Sequence, residues 1–502
     1  MGLLSAFLFV TVVTSIVYFI AKHLQLRNQL KGINCPRSYP LIGHGLLKKP
    51  DMEGFINQVM GMAQMYPDSP RMVLFWLGPV PVVMLYSARL VEKILNCSQH
   101  LNKGIAYYFF ESWLGQGIIT SNVDNWRPKR KLLTPTFHYD ILKDFVPIFN
   151  DQAQILVKKF ASLPEGKPVE LMSYITLCAL DIICETSMGK SLNAQLDKES
   201  EYVKAVHTVN DLVQKRTKSP LYWNDYFYNK FGEGETEKKC IDILHSFTNK
   251  IAERRKELED KQWRFEGRRA FLDLLLDMAN SGQLEASEIQ EQVDTLMFAG
   301  HDTTSTGSSW ALFLFGCYPE IQRKVQEEID EVLEDSDYIL PEHLPRLKYL
   351  ECCLKESLRL CTPVPMIMRK LGADQELEGV TLPKGTQVVL NQYMVHRDPM
   401  YWPDPEKFDP DRFLPENCIG RHPFAFIPFS AGSRNCIGQR FGLMEIKVVV
   451  SWMLRHFNVT AVQRRCDLKS KIEIILRPQD GIHVFLEKRR AIADGFRSSL
   501  IA

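Results

Sequence analysis

The chain has 502 residues, 45% of them hydrophobic and 24% charged, with 61 Lys and Arg against 60 Asp and Glu. That balance allows a large buried core and excludes a disordered chain, and a net charge of +1 argues against a nucleic-acid partner. Twelve cysteines with no C-x-x-C pair exclude a zinc-finger spacing and fit a reducing compartment.

Gly2 to Ala21 carries no charge, and twenty helical residues rise about 30 Å, one hydrocarbon core. The stretch lacks the charged start and short apolar core of a cleaved signal, so it reads as a retained anchor. Lys22, Arg27, Lys31 and Arg37 follow, which places the remainder of the chain on the cytosolic side. The expected organisation is an anchor over 1–22, a basic, proline-rich hinge over 23–46, a main domain over 47–490 and a tail over 491–502. The hinge contains CPRSYPLIGHG, residues 35–45, stiffened by two prolines.

Residues 71–86, RMVLFWLGPVPVVMLY, read as a strand pair about a Gly-Pro turn. Helical periodicity dominates from about 140 to 365. Short strands return over 367–393, with a turn at Pro383-Lys384-Gly385, and another pair falls near 470–487. The expectation is a mainly α domain with a small β component.

One long helix begins near Ser287, where Gln290 completes a capping-box spacing, and stops at Tyr318 before Pro319. Its flanks are apolar, but its middle is AGHDTTSTG, Ala299 to Gly307. Gly300 costs about 1 kcal/mol against Ala in a helix interior. A surface turn would not interrupt so apolar a run, so the small polar stretch predicts a groove for a ligand. A second helix, Leu347 to Cys361, sets Leu347, Leu350, Leu354 and Leu358 on one stripe and Glu356 beside Arg359 at i, i+3. Such pairs are common on surfaces and contribute little there.

Near the C-terminus, PFSAGSRNCIG (428–438) surrounds Cys436 with Phe429, Gly432, Arg434 and Gly438. A core cysteine is a small hydrophobe and needs no such company. The cysteine also precedes an apolar run that reads as a helix, and a thiolate at a helix N-terminus is favoured by the backbone N–H groups.

In order, the chain has Trp126-x-x-x-Arg130, AGHDTT at 299–304, Glu356-x-x-Arg359, PDRF at 410–413, and Phe429-x-x-Gly432-x-Arg434-x-Cys436-x-Gly438. This series resembles the cytochrome P450 haem-thiolate monooxygenases over nearly the whole chain. ITLCALDIICETSMG (175–189) and GQGIITSNVDNWRPKRKLLTPTFH (115–138) are most similar to family 4, and within it the V-type subfamily. The resemblance implies the P450 fold, with haem between the long central helix and the cysteine-loop helix. It makes Cys436 the axial thiolate, which favours O–O cleavage. Phe429 packs near the sulfur, and Gly432 and Gly438 let the loop turn and approach the porphyrin. Arg130, Arg369 and Arg434 then pair with the haem propionates, with Trp126 donating through its indole N–H. Asp302 and Thr303 match an acid–alcohol pair that delivers protons. His301 is a tempting metal ligand, but packing or hydrogen bonding is its commoner use, and it receives no catalytic role. Glu356, Arg359 and Arg412 form a structural network behind the cysteine loop.

One departure from family 4 is Ala299, where many members carry a glutamate that esterifies haem. The expectation is therefore non-covalent haem b. Family 4 implies (omega-)hydroxylation of fatty acids, with xenobiotics or lipid hormones as alternative substrates and a haem-thiolate isomerase or a non-catalytic haem carrier as alternative roles. Gly115-Gln116-Gly117-Ile118-Ile119-Thr120 lacks the third glycine of a dinucleotide fingerprint. Electrons then come from NADPH–cytochrome P450 reductase, with cytochrome b5 as a further partner, onto a basic face of Arg127, Lys129, Lys131 and Arg440. The endoplasmic reticulum membrane is the implied location. A second membrane contact is expected over Leu221 to Phe231, through Tyr222, Trp223 and Phe227. The candidate substrate contacts are Tyr107 to Trp113, the helix ends and loop near 205–231, Phe298, and Val364 to Met366.

Overall fold

The central helix, Ala286–Cys317, is the axis about which the other elements are arranged. In this computed structural model the described residues are 2–39, 42–44, 71–189, 192–196, 200–260, 270–334, 338–472 and 474–489, with a few isolated positions besides. The helix has 32 residues, a length of about 48 Å. It starts one residue before the predicted Ser287, and the cap differs: the Glu285 N–H donates to Glu288 Oε2 at 3.0 Å. Both spacings suit a side chain that reaches back to its own first turn. Gln290 turns inward instead and donates to Asp294 Oδ2 at 3.0 Å. Pro319 opens the next helix and ends this one.

Helix Leu171–Met188 lies along the central helix and is apolar nearly all round. It is long and apolar enough to cross a membrane, but 83% of it is buried, so it is a core helix. The close approach is set by Gly300, where an added Cβ would sit 2.5 Å from Ile183 Cδ1. The helix glycine thus serves packing between helices as well as any groove. Both roles need the same missing methyl.

The N-terminal helix, Gly2–Gln29, runs past the expected anchor boundary at 22. Residues Ser5–Gln29 are long and apolar enough to span a membrane, and the most apolar 18-residue window of that stretch has no buried residue. Its last turns meet the body: the His23 ring lies 4.5 Å from that of Trp76. Leu30 and Ile33 are buried in the same apolar cluster as Trp76, Leu377 and Leu382. The expected hinge is therefore docked over part of its length. Residues 40, 41, 45 and 46 of that hinge, and the tail 491–502, lie outside the described residues.

The predicted strand pair is present as Met72–Leu77 and Val80–Leu85. They form one edge of a five-stranded sheet, whose next members are Gln387–Asn391, Met366–Lys370 and Asn102–Lys103. Val80–Leu85 runs parallel to Gln387–Asn391, and at the far edge Lys103 stands opposite Arg369. Gly385 has φ +87, as the predicted Pro-Lys-Gly turn requires. Near the C-terminus Ser470–Ile472 pairs with Leu476–Pro478, and His483–Lys488 pairs with Phe457–Ala461. The last of these was not foreseen, because it follows helix Gln439–His456 with no turn residue between.

Candidate functional site

The cysteine loop is folded by its own backbone. The Cys436 N–H donates to Phe429 O at 2.9 Å, the Asn435 N–H to Gly432 O at 3.2 Å, and the Ser430 N–H to Ile427 O at 2.9 Å. Gly432 has φ +70, and a Cβ there would lie 2.1 Å from Leu95 O. Only glycine fits, by conformation and by space. Gly438 differs, since its nearest neighbour to an added Cβ is Phe137 Cε1 at 3.8 Å. Among the described residues nothing demands a glycine there.

Cys436 opens onto a cavity of about 310 Å³ whose walls also include Phe429, Gly438, Trp126, Gly300 and Thr303. The thiol is exposed to the cavity rather than to bulk solvent. Its depth in the molecule raises its pKa, and the Gly438 N–H, Arg130 and Lys103 pull it back down. That opposition suits a sulfur that becomes a ligand thiolate. Gly438 caps helix Gln439–His456, so the sulfur lies at a helix N-terminus as the sequence implied.

Four cations reach the same cavity: Lys103, Arg130, Arg369 and Arg434. Arg130 donates to Asn435 O at 2.8 Å and to Asn435 Oδ1 at 2.7 Å. Arg434 donates to Leu101 O and Ser121 O, each at 2.8 Å, and its guanidinium lies 4.8 Å from the Trp126 ring centre. Arg369 donates to Met368 O at 3.2 Å. Burial lowers the pKa of Arg369 and Arg130. Burial first, then Arg369, brings Arg434 to about 9. Burial with Arg369 and Arg434 nearby pushes Lys103 well below its usual value. Among the described residues no carboxylate acts on any of the four, and Arg434 Nε has no partner. Buried cations without counter-charge are costly. Such a cluster fits a dianionic group such as haem, whose two propionates would meet it while Cys436 meets the iron.

Much of the remaining lining is apolar, with Phe110, Leu114, Leu296, Phe298, Val364 and Ile475. Phe298 stacks on Phe110, 5.8 Å away, and packs at a tilt against Trp113, 4.9 Å away. The Thr303 hydroxyl donates to Ala299 O at 2.8 Å and keeps its lone pairs as acceptors. Asp302 does not line the cavity. It is buried, pairs with Arg477 and accepts from Asn210 Nδ2 at 3.3 Å. The structure thus brings Thr303 to the cavity with Cys436 and holds Asp302 behind it.

Glu356 and Arg359 are both 0% exposed, so the unremarkable i, i+3 pair of the sequence is an interior one. Arg359 makes two bonds to the carboxylate, at 2.7 and 2.8 Å. It also donates to His396 O at 2.8 Å, Pro405 O at 2.7 Å and Lys407 O at 3.2 Å. Arg412 Nε lies 3.6 Å from the same carboxylate. His396 links this network to the loop, since its Nε2 accepts from the Ile427 N–H at 2.9 Å. Burial and the adjacent arginines bring His396 to about 3, which keeps that acceptor lone pair free.

Two residues escaped the sequence reading. Lys103 sits in LNKG, which carries no signal; its role comes from the pairing with Arg369 across the sheet. Glu445 on the cysteine-loop helix is 1% exposed, and burial raises its carboxyl to about 8 against a weaker pull from the Thr304 hydroxyl. Lys129 is a correction: it is buried and pairs with Glu288 at 3.0 Å and Glu291 at 3.3 Å, so it belongs to no docking face. Arg127, Lys131 and Arg440 are exposed.

Comparison with known proteins places the chain in a family. The cytochrome P450 family profile matches residues 33–485. The chain is 46% identical over 496 residues to human cytochrome P450 4V2, covering 96% of this chain and 94% of that protein. It is 41% identical over 507 residues to cytochrome P450 4c3 of Drosophila melanogaster, covering 97% and 95%. With cytochrome P450 4c21 of Blattella germanica the identity is 38% over 504 residues, covering 97% and 99%. Such relatives bring haem, a reductase as electron donor and a lipophilic substrate with them. The chain therefore belongs to the cytochrome P450 family, in family 4 and its V-type subfamily, and is a haem-thiolate monooxygenase.

Proposed function

We propose that the protein hydroxylates fatty acids at or near the chain end. The observation that carries this reading is a cavity lined both by cations, of which Arg130 and Lys103 act on Cys436, and by the apolar side chains of Phe110, Leu296, Phe298 and Val364. An apolar chain end suits those apolar side chains and gains from leaving water. When bound, haem supplies the activation of O2 for insertion into a C–H bond. The chain's own residues do the rest. Lys103, Arg130, Arg369 and Arg434 would hold the propionates, with Trp126 beneath Arg434, and Cys436 would bind the iron. Thr303 Oγ1 would hold a proton-carrying water at the cavity wall, and Asp302 would supply its protons. Phe429 would shield the sulfur from water.

Haem is held without a covalent tie in this reading, because Ala299 on the cavity wall offers no carboxylate. Acid and organic solvent should then extract it completely, and haem retained on the chain would refute that. The N-terminal helix would anchor the protein in the endoplasmic reticulum membrane with its main domain in the cytosol. Reductase, and cytochrome b5 as a second donor, would approach through Arg127, Lys131 and Arg440. The second membrane contact is better supported by Leu221, Tyr226 and Phe231, which are 62–64% exposed. Tyr222 and Trp223 are partly turned inward, the latter donating to Thr217 O at 3.1 Å.

Incubating the holoprotein with reductase, NADPH and saturated fatty acids of graded length tests the reading. Hydroxy acids oxidised near the chain end are the expected product. Turnover of a xenobiotic but of no fatty acid would refute the substrate class, and rearrangement of a fatty-acid hydroperoxide without NADPH, with no turnover of the saturated acids in its presence, would point to an isomerase.

A further inference from the structure

We infer that a water-holding seam between helix Glu201–Lys218 and the central helix brings protons to Asp302 from the side away from the cavity. The inference rests on the reading of Asp302 as the proton source. Its carboxylate faces Arg477 and Asn210, so the supply has to arrive from that direction.

Three buried polar atoms in this region have no protein partner: Tyr202 Oη, His301 Nε2 and Asn210 Oδ1. Their residues are 2%, 0% and 2% exposed. His301 uses its other nitrogen, Nδ1, against Met297 O at 2.6 Å. A carbonyl can only accept, so Nδ1 carries the proton and Nε2 is a bare acceptor. The Tyr202 ring lies 5.8 Å from the His301 ring, and its hydroxyl is a donor. A donor and an acceptor thus share one interface without bonding to each other. Asn210 has spent its Nδ2 on Asp302 and keeps Oδ1 as an acceptor beside that carboxylate. Tyr202 and Asn210 are two turns apart on one helix, about 12 Å, which a few waters bridge. Unmatched groups occur elsewhere in the molecule; these are set apart by their grouping about one buried carboxylate. Buried polar groups of this kind are met by ordered water.

The seam has a solvent end. His207 lies on the same helix between Tyr202 and Asn210, is exposed, and is close enough to Arg477, Asp302, His301 and Asp211 to feel their charges. Asp294 acts on Tyr202 from the central helix. A proton enters from solvent beside His207, passes along the waters held by Tyr202, His301 and Asn210, and is taken up by the Asp302 carboxylate as Arg477 releases it. It leaves at the Thr303 side into the cavity, and Asp302 pairs with Arg477 again. Nothing is oxidised or reduced in this transfer. Tyr202, His301 and Asn210 are positioning residues, since they act only through the water.

The test combines a crystal structure of the holoprotein with kinetics of Tyr202→Phe, His301→Gln and Asp302→Asn, using dodecanoic acid as the probe. The expected structure has an ordered water within hydrogen-bond distance of Tyr202 Oη and His301 Nε2, lost in Tyr202→Phe. Tyr202→Phe and His301→Gln should raise severalfold the share of NADPH electrons lost as peroxide and enlarge the solvent deuterium isotope effect, with dodecanoic acid affinity unchanged. A dry seam overturns the inference. So does a hydrated one whose two variants match the parent in both measures while Asp302→Asn does not. If Asp302→Asn also matches the parent, the reading of Asp302 as proton source fails as well.

Discussion

Replacing Glu356 with Gln should cost about 3–5 kcal/mol, because it leaves a buried charge without its counter-ion. The magnitude follows from the geometry. Arg359 and Glu356 are fully buried, and two guanidiniums, of Arg359 and Arg412, share the one carboxylate. Glu356 also accepts the Asp409 N–H at 3.0 Å. Gln keeps the shape but removes the charge and points an amide donor at a guanidinium. A domain is typically stable by only about 5–15 kcal/mol, so the loss should appear as reduced haem retention as well as a lower urea midpoint. The route to haem runs through His396, whose carbonyl Arg359 holds and whose ring holds Ile427 at the entry to the cysteine loop. Urea unfolding of the holoprotein, followed by tryptophan fluorescence and haem absorbance, gives both readings. The double variant Glu356→Gln/Arg359→Met should lose clearly less than the sum of the two single changes, since it removes both charges together. A loss under about 1 kcal/mol for Glu356→Gln would show that the pair behaves as an exposed one and would refute the reasoning.

Gly432→Ala should abolish haem incorporation, because its Cβ would meet Leu95 O, while Gly438→Ala should leave the secondary structure intact by circular dichroism. Equal tolerance at both positions would contradict the loop account. For Glu445, the folded carboxyl keeps its proton to about 8 against an ordinary 4.5. Unfolding therefore releases a proton between those values, and stability should fall as pH rises from about 5 to 8, by up to about 1.4 kcal/mol per unit. Urea midpoints across that range should show the slope in the parent and its loss in Glu445→Gln; a slope unchanged in the variant would assign it elsewhere. Changing Leu221, Tyr226 and Phe231 to Ser should weaken vesicle binding of a form lacking the N-terminal helix, as read by flotation, and undiminished binding would remove the second membrane contact.

The sequence made some of this legible and hid the rest for physical reasons. The cysteine loop could be read because positive φ and close approach admit only glycine at Gly432. The strand pair over 72–85 could be read because its turn is local. The burial of Glu356 and Arg359 could not, since an i, i+3 pair has the same spacing on a surface. Lys103 gained its place from a strand partner 266 residues away, beyond any local pattern. Lys129 was within reach: two residues along a helix turn a side chain by roughly 200°, which sets Lys129 opposite Arg127 and Lys131. The direction in which Asp302 faces was out of reach, because Asn210 and Arg477 come from distant elements.

The central claim is that Cys436 binds haem iron as a thiolate. The carbon-monoxide difference spectrum of the reduced protein tests it most directly, with Cys436→Ser measured beside it. The account predicts a strongly red-shifted Soret band in the parent that the serine variant lacks. An unshifted band in the parent, or the same shifted band in the serine variant, would contradict it.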